Sequence, residues 1–143
     1  MATLLGLFGT KRGLRLDVTS RSSGDAKWYF DPVVITPGAT YTYSDWYRSN
    51  VQSNLTAEVR TTSGSYTYIG LKNVPKATAW TQVTGTFVAP ANAQSVTVFH
   101  LLNRVGYLET DDFSLNGPDV ASPVTVAVSA PVAGATVVGT TAV

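Results

Sequence analysis

Two adjacent carboxylates, Asp111 and Asp112, stand in front of a short hydrophobic alternation in the stretch GYLETDDFSL, residues 106–115. Residues of these types admit three chemistries: a catalytic acid pair, oxygen ligands for a hard cation, or a solvated turn. Glycosidase carboxylates face each other across a cleft at roughly 5–10 Å, whereas neighbours in a strand point to opposite faces. Asp111 and Asp112 therefore make a poor acid–base pair, and the only glutamates are Glu58 and Glu109. The single histidine, His100, lies inside the apolar run VTVFHLLN. A triad would need a nucleophile and an acid brought to it, and a metal site would need partner ligands. The expected role of His100 is that of a packed, satisfied strand residue. Cysteine is absent, which removes disulfides, thiolate metal sites and thiol catalysis together. An enzyme is not expected.

Aromatic residues carry more signal. A pyranose ring presents an apolar C–H face that stacks on indole or phenol, while its hydroxyls pair with planar polar groups. In ATYTYSDWYRS (39–49), Tyr41, Tyr43, Asp45 and Tyr47 fall on one strand face, and Thr40, Thr42, Ser44, Trp46 and Arg48 on the other. The tyrosine face is bulky enough to be core. Trp46 and Arg48 read as a wetter face, with Glu58 and Arg60 expected beside them on the next strand. Trp28 and Tyr29, near the strand broken by Pro32, and Tyr66 and Tyr68, alternating in a short strand, are further stacking candidates. Trp80 opens a strand after a loop and is expected in the core.

These side chains need strands to hold them, and the composition supplies them. Val and Thr fill more than a quarter of the 143 residues, and such β-branched residues suit a pleated surface better than a helix. Apolar residues make up 44% and charged residues 13%, which favours a folded chain. The net charge of +1 provides no long-range field for nucleic acid or an anionic membrane. Alternating runs separated by turn residues occur at 14–20, 26–35, 39–49, 54–61, 66–71, 80–90, 95–103 and 107–115. About eight antiparallel strands at this rhythm make an all-β class, a β-sandwich. The stretch GLFGTKRG (6–13) lacks the Walker spacing, and NLT (54–56) matches the glycosylation sequon. The apolar start MATLLGLF is too short to span a bilayer and lacks the order of a signal peptide.

Three phrases, ITPGATYTYSDWYRS, WTQVTGTFVAPANAQSVTVFHLL and GYLETDDFSL, together resemble the jelly-roll carbohydrate-binding modules of families four, nine and twenty-two, over roughly residues 13 to 116. The resemblance implies a two-sheet jelly roll that holds an enzyme or a cell surface against a glycan without catalysing anything. It also implies a structural calcium, for which Asp111 or Asp112 would be a ligand. Family members usually begin with an Asn- and Glu-containing strand at that site, and here MATLLGLFGT has no acidic residue. The tail APVAGATVVGTTAV looks like the start of a bacterial immunoglobulin-like repeat.

The resulting domain reading is an atypical N-terminal segment at 1–12, the module at 13–116, a linker at 117–123, and a strand-prone tail at 124–143. The expected function is polysaccharide binding by an extracellular or surface-exposed bacterial protein. The proposed platform is Trp46, with hydrogen bonds from Arg48, Glu58 and Arg60. The rival is a structural surface or filament subunit that self-associates by strand exchange through residues 1–12 or 124–143.

Overall fold

The computed structural model describes residues 2–6 and 12–118, with side chains from residue 13. Ten strands follow in chain order: β1 (Ala2–Gly6), β2 (Arg12–Val18), β3 (Ala26–Trp28), β4 (Val33–Val34), β5 (Thr40–Ser49), β6 (Ser53–Thr61), β7 (Tyr66–Val74), β8 (Ala77–Val88), β9 (Ala93–Leu102) and β10 (Gly106–Asn116). They form two antiparallel sheets. One runs β1-β2-β10-β5-β8, and the other runs β3-β9-β6-β7 with β4 also on β9. This is the expected β-sandwich. The excess over eight strands has two sources. Pro32 divides the run 26–35 into β3 and β4, because proline cannot donate to the ladder. In addition, Ala2–Gly6 pairs with β2, from Ala2 opposite Leu16 to Gly6 opposite Arg12. The expected immunoglobulin-like tail, 124–143, lies outside the described residues.

Alternation decides which side chains fill the sandwich. On β5, Tyr41, Tyr43, Asp45, Tyr47 and Ser49 are buried, and the intervening residues are not. On β6, Leu55, Ala57 and Val59 turn inward. Each such aliphatic side chain taken fully out of water contributes about 1.5–3 kcal/mol. Phenolic hydroxyls in the core need partners, and each tyrosine finds one. Tyr41 accepts from the Thr36 amide at 2.7 Å, Tyr43 donates to Asp45 at 2.9 Å, and Tyr47 donates to the Pro75 carbonyl at 2.9 Å. The turn at TPG closes on Gly38 at φ +78°, a conformation in which a Cβ would be strained.

Consecutive long strands cross between sheets: β5 lies in one and β6 in the other, and likewise β7 and β8, then β9 and β10. This corrects one expectation. Glu58 and Arg60, on β6, do not lie beside Trp46 and Arg48; β5 is flanked by β10 and β8 instead. The physical reason is that β5 and β6 both carry one strongly apolar face. With both edges of β5 taken by β10 and β8, the short connection carries β6 across to the other sheet, where its apolar face meets that of β5.

Candidate functional site

The outward face of the β1-β2-β10-β5-β8 sheet carries a row of charges in register. Arg15 on β2 stands opposite Glu109 on β10, which stands opposite Arg48 on β5. Strands 10 to 12 residues long in β5, β10 and β8 make this a wide platform. Arg15 Nη1 donates to Glu109 Oε1 at 3.2 Å, and Arg48 Nε donates to Glu109 Oε2. Glu109 is only 2% exposed although it points away from the core, because the two guanidinium groups close over it. Arg15 also holds Asp17 through two 2.8 Å bonds. That pairing lowers the Asp17 carboxyl below its ordinary range and raises the Arg15 guanidinium, against the desolvation that opposes both.

Each arginine also lies over a ring. The Arg15 guanidinium carbon is 4.3 Å from the Tyr107 ring centre, and that of Arg48 is 5.2 Å from the Trp80 ring. Trp80 is partly exposed on this face rather than in the expected core position. Its indole reaches β2, where a Cβ on Gly13 would stand 2.8 Å from Cη2. Glycine at that position makes room for the ring. Trp46, opposite Asp111 on β10 and Gln82 on β8, is also partly exposed. The face thus combines flat rings with carboxylate and guanidinium edges fixed before any ligand arrives, an arrangement suited to sugar hydroxyls and C–H faces.

The other candidates are divided. Glu58, Arg60, Tyr66 and Tyr68 register together on the outward face of the second sheet, where Glu58 opposes Tyr68 and Arg60 opposes Tyr66. Tyr29 lies on that side too, with its ring edge-on to Phe99 at 5.5 Å. Trp28 packs against the core in register with His100, and its indole nitrogen is buried with no partner among the described residues. The structure therefore keeps Trp46 with Arg48 and sets the remaining candidates apart from them. Arg15, Asp17, Trp80, Tyr107 and Glu109 did not figure in the expected site. Their signal was the alternation of polar and apolar residues in LRLDV and YLETD, which marks a shared polar face. What was missing was which strands stand side by side.

Asp111 and Asp112 form a β-bulge. The β10–β5 register shifts between Asp111 and Ser114, and Asp112 takes φ +49°. Asp111 Oδ1 accepts the Asp112 amide at 2.8 Å, the local bond that lets a short acidic side chain hold a left-handed residue. Among the described residues no group of three His, Cys, Asp or Glu side chains could gather on an ion. Calcium takes six to eight oxygens, so Asp111 and Asp112 would need backbone carbonyls and other side chains beside them to hold it.

His100 does meet a serine and an acid. Its Nδ1 is 2.8 Å from Asp45 Oδ2, and its Nε2 is 2.8 Å from Ser53 Oγ. All three are sealed in the core at 3% exposure or less, so no substrate reaches the serine. The histidine is a satisfied packing residue.

Residues 9–103 match the carbohydrate binding domain family, and the chain belongs to it. No curated protein sequence matches the chain. Among solved structures, the enzymatically active domain of bacteriophage CBA120 tailspike protein 4 superposes with a TM-score of 0.61 at 14% identity, over 75% of this chain. The match spans only 16% of the tailspike chain. The CBM22-1 xylan-binding domain of Xyn10C from Paenibacillus barcinonensis gives 0.56 at 14% identity, covering 81% of this chain and 78% of that one. The CBM22-1–GH10 modules of Clostridium thermocellum xylanase 10B, solved with xylohexaose, give 0.56 at 17% identity, covering 81% of this chain and 24% of that one. At these identities the likeness is one of fold.

Proposed function

We propose that the face built by β2, β10, β5 and β8 binds a polysaccharide, with Trp46 and Trp80 as stacking platforms and Arg15 and Arg48, positioned by Glu109, as the hydrogen-bonding set. The reading places the module in an extracellular bacterial protein, where it keeps a partner domain or a surface against its glycan and does no chemistry itself. One observation carries it. A carboxylate 2% exposed on an outward face is locked by two arginines, and each arginine lies over an aromatic ring. Family membership supports a carbohydrate ligand. Xylan is the first polymer to try, since two of the similar folds come from xylan-binding or xylanase proteins. Shallow, wet sites bind in the micromolar to millimolar range, about 4–8 kcal/mol. The rival reading, a subunit assembling by strand exchange, draws on residues 124–143, outside the described ones, and on residues 2–6, which pair with β2 of their own chain.

The test is affinity electrophoresis in native gels containing soluble xylan and, separately, hydroxyethylcellulose. Trp46→Ala and Trp80→Ala are each expected to weaken retardation about tenfold, the equivalent of about 1.4 kcal/mol. Unfolding curves serve as the check on folding. Retardation unchanged in both variants would remove this face from the reading.

A further inference from the structure

The outward face of the opposite sheet is independent of that site, and it has its own construction. Four of the six large apolar side chains exposed among the described residues belong to it: Tyr29, Val34, Tyr66 and Tyr68. Single exposed apolar residues are ordinary, whereas several on one face mark an interaction surface. The three phenol rings are 63%, 55% and 61% exposed for Tyr29, Tyr66 and Tyr68. Two of them are held in place. Tyr29 meets Phe99 edge-on at 5.5 Å while Lys27 lies 4.5 Å over the same ring, which is why Phe99 is buried on an outward face. Glu58, opposite Tyr68 in register, raises the Tyr68 hydroxyl pKa above the ordinary range.

Beside Tyr68, away from Tyr66, the sheet is low. Phe99, Thr56 and Gly70 follow one another in register across β9, β6 and β7. A Cβ on Gly70 would meet nothing within 4 Å. A groove of about 630 Å³ opens beside Thr56 and Gly70, lined by Arg21, Asp25, Asn54 and Lys72 and by none of the three phenol rings. From β3 to β7 the face spans three strand spacings, about 14 Å, room for several linked sugar rings.

Charge separates this face from the first one. Here Arg21, Lys27, Arg60 and Lys72 stand against Asp25 and Glu58, four cations to two anions. Among the described side chains, the Trp46 face sets Arg15 and Arg48 against Asp17, Glu109 and Asp111, two cations to three anions. A surface of exposed phenols with excess guanidinium and ammonium groups complements sugar rings that carry carboxylates. We propose that the β3-β9-β6-β7 face is a second binding site, and that its ligand is an acidic polysaccharide built from uronic-acid units.

The probe is polygalacturonate, cast into native gels beside hydroxyethylcellulose as a neutral polymer and polyglutamate as a polyanion without sugar rings. Wild type and Trp46→Ala are both expected to be retarded by polygalacturonate. The double variant Tyr29→Ala/Tyr68→Ala is expected to lose that retardation at least tenfold while keeping wild-type mobility in hydroxyethylcellulose. Because removing Tyr29 uncovers Phe99, Tyr68→Ala/Lys72→Gln is run beside it with thermal unfolding, and a loss of at least tenfold is expected there as well. The proposal is overturned if polygalacturonate does not retard wild type. It is equally overturned if neither tyrosine variant weakens retardation, or if polyglutamate retards as strongly. A loss caused by Trp46→Ala but not by the tyrosine variants would assign the acidic ligand to the first face and overturn the second site alone.

Discussion

Replacing Glu109 by glutamine keeps the shape of the side chain and removes its charge, and the consequence can be worked from the geometry. Glu109 accepts from Arg15 and from Arg48, and both arginine side chains are 27% exposed. A hydrogen bond to a charged group contributes about 1.5–3 kcal/mol and a neutral one about 0.5–1.5. Neutralising the acceptor of two such bonds should therefore cost about 2 kcal/mol, reduced toward about 1 by the partial exposure of the donors. The assay is urea unfolding followed by tryptophan fluorescence, with the loss read from the midpoint at constant m. Asp17→Asn is the internal control. Asp17 is 43% exposed, and its pair with Arg15 should contribute less than about 0.5 kcal/mol. Glu109→Gln should also stay destabilised in 1 M NaCl, since a carboxylate 2% exposed is poorly screened. If Glu109→Gln matched Asp17→Asn, or salt erased the difference, Glu109 would not organise the arginines. The binding face would then lack the order ascribed to it.

Two further outcomes are expected. Burial first, then the Asp45 charge, pushes the Tyr43 hydroxyl pKa well above its ordinary value, and Tyr47 shifts the same way. The folded state then holds protons that the unfolded state releases, so stability is full below about pH 10 and falls as pH rises beyond it, by at most about 1.4 kcal/mol per unit for each group. Unfolding free energy measured from pH 8 to 11.5 should decline only above pH 10, and a flat profile would contradict the burial of Tyr43. Because Asp111 and Asp112 serve a bulge, EDTA and added calcium should both leave the melting temperature within about 1 °C, where each kcal/mol is worth about 4–8 °C. A rise of several degrees with calcium would show that other groups complete a site around them.

Patterning located the strands from β2 onward to within a few residues, though not β1, because period-two burial is written directly into runs such as YTYSDWYRS and SNLTAEVRT. The TPG turn and the Pro32 interruption were equally legible, since proline and glycine act locally. The partners of each strand were not. Nothing local in residues 49–54 tells a hairpin from a crossing, and that one connection decides whether Glu58 joins Trp46 or lies on the far side. Arg15 and Glu109, 94 residues apart, meet only because β10 inserts between β2 and β5. The Asp111–Asp112 pair was readable as chemistry but not as geometry, because a bulge depends on the register with β5.

The buried polar chain explains how the two sheets keep a fixed relation while their outer faces carry different chemistry. Tyr43 and Asp45 lie on β5 in one sheet, His100 on β9 and Ser53 on β6 in the other, and the bonds between them run 2.8 to 2.9 Å. Apolar contacts across a sandwich are non-directional and tolerate sliding, whereas a buried hydrogen-bond chain favours one alignment. The Asp45 carboxylate accepts from the imidazole Nδ1, and the Ser53 hydroxyl is the partner of Nε2. Sliding one sheet by a residue would strand a carboxylate, an imidazole and a phenol in the core, each a cost of about 1–3 kcal/mol or more. Asp45 immediately precedes Trp46, and His100 immediately follows Phe99. The same chain that aligns the interior therefore fixes, one residue away on each sheet, the ring that anchors each outer face.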